Sequence, residues 1–336
     1  MNFQLEITMA TLSNNPVTAR AHTNIALIKY WGKKDESLII PYTSSLSLTL
    51  DHFYTDTTVR FDESLSTDQI IIDGQIPSEK SRQRVRDFLE IVRGKAQIAI
   101  PASISSTNHV PTAAGLASSA SAFAALAASA SKAAGLHLDA TELSKLARRG
   151  SGSACRSVFG HFVEWQRGTN DADSYAKPLP DTGLNDIRVV ALTVERGQKA
   201  VSSRQGMHLS VTTSPYYPAW VKTCQADLLQ LKSAIEKGDF TRFGKISELN
   251  AMRMHALTLS ADPSFTYFNG QTLAIMNLVK QLRHQGTECY YTIDAGPNVK
   301  VLCQQSTVAK ISATFAQVLG DQNVIIAKPG PGVQYL

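Results

Sequence analysis

The chain has 336 residues, 43% hydrophobic and 18% charged, with a formal net charge of +5. That is enough for about two domains with real cores, and the mild basicity, concentrated in no tail, suits anionic small molecules rather than a nucleic-acid partner. The four scattered cysteines (Cys155, Cys224, Cys289, Cys303), without CxxC or a His/Cys cluster at metal spacing, point to a reduced cytosolic protein with no structural zinc. Residues 1–16 carry Glu6 and no apolar h-region, which argues against a secretory signal.

In chain order, the alternation in Ser45–Leu50 predicts a strand with one buried face. Thr57–Phe61, Gln69–Ile72 and Gln97–Ser103 add strands, with Asp73-Gly74 as a turn signal. Ser78–Arg93 reads as an amphipathic helix stopped by Gly94, with Arg82, Arg84, Arg86 and Arg93 forming a solvated face. After the polar segment Ser105–His109, an alanine-rich helix runs to about Gly135. Its serines and Lys132 make a membrane span unexpected. Asp139 caps a short helix to Arg149, and strands follow at Gly160–Gln166 and Arg188–Val194. The second half predicts helices over Ala219–Lys237, Phe240–His255 and Gln271–Gln285. Strands Glu288–Ile293 and Val299–Cys303, a helix near Ala309–Leu319 and a strand at Asn323–Ala327 complete it. Partly segregated strands and helices make an α+β pattern, divided near residues 185–200.

Walker A and GxGxxG sequences are absent. In Pro111-Thr112-Ala113-Ala114-Gly115-Leu116-Ala117-Ser118-Ser119, Pro and Gly set a turn and the small residues leave the backbone open. The serines stand at a helix start, where unpaired N–H groups and the helix dipole suit a phosphate. Lys29-Tyr30-Trp31-Gly32-Lys33 offers two cations and a phenol beside a glycine turn, able to pair with phosphate oxygens. Arg149–Ser157 is a Gly/Ser-rich loop in which Arg156 adds a two-pronged donor suited to a carboxylate. Gln198–Met207 reads as a Lys/Ser/Arg loop after a strand, and Asp294 stands where an apolar strand gives way to a Gly-Pro turn. Taken singly, these are an N-cap, a surface turn, an ion-pair arginine, a solvated loop and a turn former. Cys155 reads as a packing residue, and the histidines form no metal or triad motif.

The phosphate-loop pattern resembles that of the GHMP superfamily of small-molecule kinases. Asn24–Asp35 with Pro41 and Ser44–Leu50, Ser151–Arg156, Gln198–Met207 and Tyr290–Asn298 narrow the resemblance to the mevalonate diphosphate decarboxylase family, over nearly the whole chain after Thr18. The resemblance implies a GHMP-kinase-like two-domain fold. An N-terminal ribosomal-protein-S5-like ATP-binding domain (1–190) would face a C-terminal ferredoxin-like α/β sandwich (191–336) across the active-site cleft. It implies ATP-dependent decarboxylation of mevalonate 5-diphosphate to isopentenyl diphosphate, through transient phosphorylation of the 3-hydroxyl.

Carried over residue by residue, Asp294 contacts that hydroxyl as a late proton acceptor, an orienting group or a counter-charge. Arg156 grips the C1 carboxylate, Lys199 stands near the transferred phosphoryl group, and Lys29 joins them as a catalytic cation. Tyr30, Lys33, Ser151, Ser153, Ser203, Arg204 and Met207 bind the substrate. Pro111, Gly115, Leu116, Ala117, Ser118 and Ser119 hold ATP, with Ser118 toward an Mg2+ carried mainly by the phosphates; Ser103–Asn108 is the expected adenine side. The resemblance also implies a cytoplasmic homodimer with no nucleic-acid or membrane partner. A related kinase or decarboxylase acting on mevalonate or its monophosphate, and a non-catalytic binding protein, are the alternatives.

Overall fold

The computed structural model describes residues 12–13, 15–109, 118–180, 183–197 and 199–336. The chain opens with β1 (Val17–Ile28), a small hairpin of β2 (Lys33–Asp35) and β3 (Ile40–Pro41), the long β4 (Ser45–Phe61) and β5 (Gln69–Ile72). Then come α1 (Glu79–Ala96), β6 (Ala102–His109), α2 (Ser118–Ala133), α3 (Ala140–Gly150), the single-turn α4 (Ala154–Ser157), β7 (Phe162–Trp165) and β8 (Ala176–Pro178). The second half holds β9 (Ile187–Leu192), α5 (Ser203–Thr213), α6 (Tyr217–Glu236), α7 (Phe240–Leu259) and α8 (Gly270–His284). It closes with β10 (Tyr290–Ile293), β11 (Val299–Gln304), α9 (Gln305–Leu319), β12 (Val324–Ala327) and β13 (Gln334–Tyr335).

Two sheets organise these elements. The first runs β13-β1-β4-β6-β5, with β7 pairing the start of β4 and β8 beyond it; the second is an antiparallel β10-β11-β9-β12. The last strand therefore returns to the edge of β1, with Tyr335 opposite Ala19. Among the described residues no helix is long and apolar enough to cross a membrane.

Several predicted boundaries move, those of the first sheet because small hydroxyls bury readily when they are paired. Ser45–Leu50 and Thr57–Phe61 belong to one continuous strand, β4, in which Thr55 and Thr57 are buried. The Thr55 hydroxyl meets Ser121 Oγ at 2.8 Å and that of Thr57 meets Ser106 Oγ at 3.0 Å. The strand expected over 97–103 begins instead at Ala102 and takes up the polar segment 105–109. α1 runs past Gly94 to Ala96, where Gln97 caps it at φ 56°. Residues 203–213, expected as loop, form α5, with the Ser202 hydroxyl accepting from the Gln205 amide. Asp139 caps α3 as expected, in a capping box with Glu142.

One apolar cluster lies between the first sheet and helices α1–α3. A second joins the two sheets: Ile25, Leu27, Leu46 and Leu48 pack in one cluster with Val189, Phe243, Tyr290 and Leu302. The apolar stretch before Lys29 is thus buried on behalf of both halves, which delivers the end of β1 to the turn after β10.

Candidate active site

A cleft of about 760 Å³ is walled by both halves of the chain. Lys29, Tyr30, Lys33, Ser119, Ser151, Ser153, Arg156, Lys199, Ser203, Arg204, Met207 and Asp294 all line it. Pro111, Gly115, Leu116 and Ala117 lie outside the described residues, as does the side chain of Ser118. Of the segment expected on the adenine side, Asn108 reaches the cleft, where its amide and side chain donate to Asp73 at 2.7 and 3.0 Å.

Asp294 is the first residue of the turn joining β10 to β11, and Lys29 follows the last residue of β1. Lys29 is 1% exposed. Its ammonium donates to Asp294 Oδ1 at 2.7 Å and to the Ala26 carbonyl at 2.8 Å, while its amide donates to Asn250 Oδ1 at 2.9 Å. Lys300, on β11, places its ammonium 3.5 Å from Asp294 Oδ2. Burial by itself would push the Asp294 carboxyl up, but Lys29 and Lys300, with Lys199 behind them, hold it well below the usual carboxylate range. Burial lowers Lys29 and Lys300, and Asp294 partly offsets this. His255 packs beneath, with Nε2 3.3 Å from the Ile293 carbonyl. Burial, aided by the Lys29 charge, pushes its imidazole down to about 3, so it is neutral at ordinary pH.

Arg156 sits within α4 and is buried. One prong donates to Ser45 Oγ at 2.7 Å, the other to Asn24 Oδ1 at 3.1 Å, and Asn24 in turn donates to Ser157 Oγ at 2.7 Å. These bonds fix the guanidinium plane, yet no carboxylate among the described residues pairs with it, and burial lowers its pKa. A buried cation left in this state is arranged for an anion that comes from solution. In the sequence Asn24 stands only as the first residue of the Asn24–Asp35 motif; its role in aiming Arg156 emerges from the fold. The neighbouring loop is tight. A Cβ at Gly152 would lie 2.8 Å from Trp165 Cη2 and 2.9 Å from the Tyr30 ring, which itself packs edge-on against Trp165 at 4.7 Å. The Tyr30 hydroxyl is buried with no hydrogen-bond partner in the described structure, and burial drives its pKa up, so it remains a neutral donor.

On the opposite wall, Ser203, Arg204 and Met207 occupy the first turns of α5 rather than a loop. Lys199 Nζ lies 3.5 Å from Ser203 Oγ; the enclosing walls and the like charge of Lys300 lower its pKa. Lys33 is held by Glu36. Ser119 and Ser151 meet at 3.3 Å, linking the start of α2 to the end of α3.

The solvated arginine face expected on α1 needs correction. Arg82 and Arg86 do pair outward with Glu79, but Arg93 is buried against Asp68 and Arg84 turns into the cleft. Helical spacing accounts for Arg84, which lies on the far side from residues 82 and 86, whereas Arg93 shares their angular position and is buried by Asp68 standing against the last turn. Arg84 donates to the Gly150 carbonyl at 2.9 Å, and its Nε has no partner in the described structure. Burial and the neighbouring Arg204 lower its pKa to about 10. Two neighbouring guanidiniums, neither paired with a carboxylate among the described residues, make a place for phosphate. Among the described residues no group of three or more His, Cys, Asp or Glu side chains can hold a metal ion. A divalent cation here would depend on ligand oxygens and a hydroxyl or two, as Mg2+ commonly does beside phosphates.

The family model for a diphosphomevalonate decarboxylase-like N-terminal domain matches residues 21–176, and that for a mevalonate 5-diphosphate decarboxylase C-terminal domain matches residues 189–329. The diphosphomevalonate decarboxylase of Homo sapiens is 37% identical over 319 residues, spanning 88% of this chain and 79% of the human protein. A structure designated MDDEF in complex with MVAPP, AMPPCP and magnesium superposes with a TM-score of 0.92 at 47% identity, covering 96% of this chain and 98% of the other. The mevalonate diphosphate decarboxylase of Staphylococcus aureus superposes with a TM-score of 0.93 at 44% identity and the same coverage. The α+β fold is therefore that of the solved decarboxylases, in keeping with the GHMP-kinase-like expectation.

Proposed function

This chain belongs to the diphosphomevalonate decarboxylase family, and from that premise we propose that it uses ATP to convert mevalonate 5-diphosphate into isopentenyl diphosphate, ADP, phosphate and CO2. The observation that carries the reading is the meeting in one cleft of a buried, carboxylate-free Arg156 and an Asp294 fixed between ammoniums.

ATP and a diphosphate-bearing acid repel each other, and the cations of this cleft offset that repulsion and orient the pair. Arg156, its plane set by Asn24 and Ser45, takes the C1 carboxylate. Tyr30, Lys33, Ser151, Ser153, Ser203, Arg204 and Met207, now with Arg84, surround the rest of the substrate. Pro111, Gly115, Leu116, Ala117, Ser118 and Ser119 hold the ATP phosphates. The Ser118 hydroxyl would be this chain's contribution to an Mg2+ carried mainly by the ATP phosphates, an ion that would supply neutralisation of phosphate charge.

Lys29 and Lys199 stand where negative charge gathers as the phosphoryl group transfers to the 3-hydroxyl. Asp294, held ionised, is far too weak a base to strip a tertiary alcohol beforehand. It orients the hydroxyl and accepts the proton late, as the oxygen–phosphorus bond forms. The C3–O bond then breaks with loss of phosphate, and the C1–C2 electron pair forms the alkene as CO2 departs. The carboxylate does little as a counter-charge for C3, because two ammoniums already face it.

In this reading residues 1–190 furnish the nucleotide wall and residues 191–336 bring Asp294 and Lys199. The enzyme works as a cytoplasmic homodimer, for which light scattering and cell fractionation are the checks. The deciding assay incubates the protein with ATP, Mg2+ and, separately, mevalonate, its 5-phosphate and its 5-diphosphate, following ADP and CO2 together. Equal ADP and CO2 from the diphosphate alone supports the proposal. ADP without CO2 identifies a kinase, CO2 from the monophosphate shifts the substrate, and neither product identifies a binding protein.

A further inference from the structure

Lys300 lies behind Asp294, 1% exposed, outside every motif that the sequence brought forward. Its strand places it opposite Thr292, next to the Ile293–Val299 pair that closes the hairpin whose turn is residues 294–298. From there the ammonium reaches back to Asp294 Oδ2 at 3.5 Å and donates to the Asn298 carbonyl at 3.3 Å, bracing both ends of the turn. The Asn298 side chain accepts from the amides of Val194 and Glu195 at 2.6 and 3.0 Å, which ties the same turn to the segment leading to Lys199.

An ammonium buried in a strand is costly, and a carboxylate partner is what makes it tolerable. Here Asp294 already has Lys29 at 2.7 Å, so the cluster holds two buried ammoniums for one carboxylate. We propose that Lys300 is a positioning residue for the phosphoryl-transfer step: it pins Oδ2 while Lys29 pins Oδ1, so that the carboxylate offers a fixed, ionised edge to the substrate alcohol. This assignment rests on the activity proposed above. The other charged or titratable groups facing Asp294 are Lys29 at the end of β1, Lys199 ahead of α5, Arg156 on α4 and His255 on α7. The substitution leaves all four of these groups in place, and His255 stays neutral through the working range, so removal of Lys300 is read against a constant background.

The test compares wild type with Lys300→Met, using ATP, Mg2+ and mevalonate 5-diphosphate from about pH 5 to about pH 8, the range in which ordinary carboxylates are ionised. A displaced reacting group reduces turnover about ten- to a hundred-fold. That fall is expected in kcat, with both KM values within about two-fold because no substrate contact is removed. Wild-type kcat stays flat on the acid side, whereas the variant begins to fall at a higher pH, since Asp294 has lost one of its ammoniums. Unchanged kcat, or a loss equal at every pH with rising KM, overturns the assignment. Where Lys300→Met does not fold, Lys300→Gln carries the same comparison. No CO2 from wild type overturns the activity and this role together; an active wild type with an indifferent variant overturns the role alone.

Discussion

The Lys29 ammonium and the Asp294 carboxylate meet at 2.7 Å across a sequence separation of 265 residues. The contact joins the end of β1 in the first sheet to the turn after β10 in the second, so the central ion pair exists only when both halves are folded and packed.

Asp294→Asn keeps the shape and removes the charge. Turnover is expected to fall about 10²- to 10⁴-fold, the range for loss of a positioned acid–base group. ATP binding, followed by displacement of a fluorescent nucleotide, is retained. Breaking a buried pair on one side also destabilises by about 3–5 kcal/mol, an upper bound here because the Asp294 side chain keeps 21% of its surface exposed, and urea unfolding reads it. Near-normal turnover of this variant removes Asp294 from the chemistry.

Arg156→Lys preserves the charge and loses the fork. With one ammonium in place of two prongs, Asn24 Oδ1 and Ser45 Oγ are no longer both satisfied. The expected result is a drop of about a hundred-fold in kcat/KM for mevalonate 5-diphosphate, with nucleotide affinity unaffected. Substrate at a hundredfold excess over its Kd stabilises wild type by about 2.7 kcal/mol, and this shift shrinks in the variant. Equal thermal shifts in both proteins contradict the carboxylate assignment.

His255 predicts an acid-stability slope. The unfolded chain takes up a proton below the ordinary histidine pKa of 6.5, which the native chain refuses until about 3. Stability attributable to this site is therefore intact above that range and declines as pH falls through it, by about 2 kcal/mol between pH 7 and pH 5. Urea midpoints at the two pH values measure the slope. His255→Gln flattens it, whatever that variant does to stability at neutral pH.

Gly152→Ala tests the close packing under the substrate. The added methyl pushes on the Trp165 and Tyr30 rings at 2.8 and 2.9 Å. Overpacking of this kind destabilises by about 1–3 kcal/mol. Because Tyr30 lines the cleft, KM for mevalonate 5-diphosphate rises while nucleotide affinity holds. A variant with wild-type KM shows that Tyr30 does not contact the substrate.

Much of this site was legible because its motifs are local. Lys29–Lys33, Ser151–Arg156 and Asp294 each announce a chemistry within a few residues, and the fold brings them to one cleft. Asn24, Arg84 and Lys300 stayed hidden because their roles are relational. Arg84 sits among three other arginines and differs in the direction it faces, a difference that helical angles encode but composition does not. Lys300 looked like the polar member of a β-strand; its partner becomes visible once the hairpin closes and its ends can be measured. The helical start at Ser203 was concealed in the same way, since a Lys/Ser/Arg run has weak apolar periodicity and Ser202 alone marks the cap.

The apolar cluster shared by the two sheets has a thermodynamic consequence. Leu46 and Leu48 of one half and Val189 and Leu302 of the other belong to the same buried volume, so exposing one set exposes the other. The protein is indivisible in the calorimetric sense: heating should yield one cooperative transition, and a proteolytic nick between residues 179 and 187 should leave two fragments that stay together until both melt. Neither half, cut out and expressed alone, keeps its inner face dry.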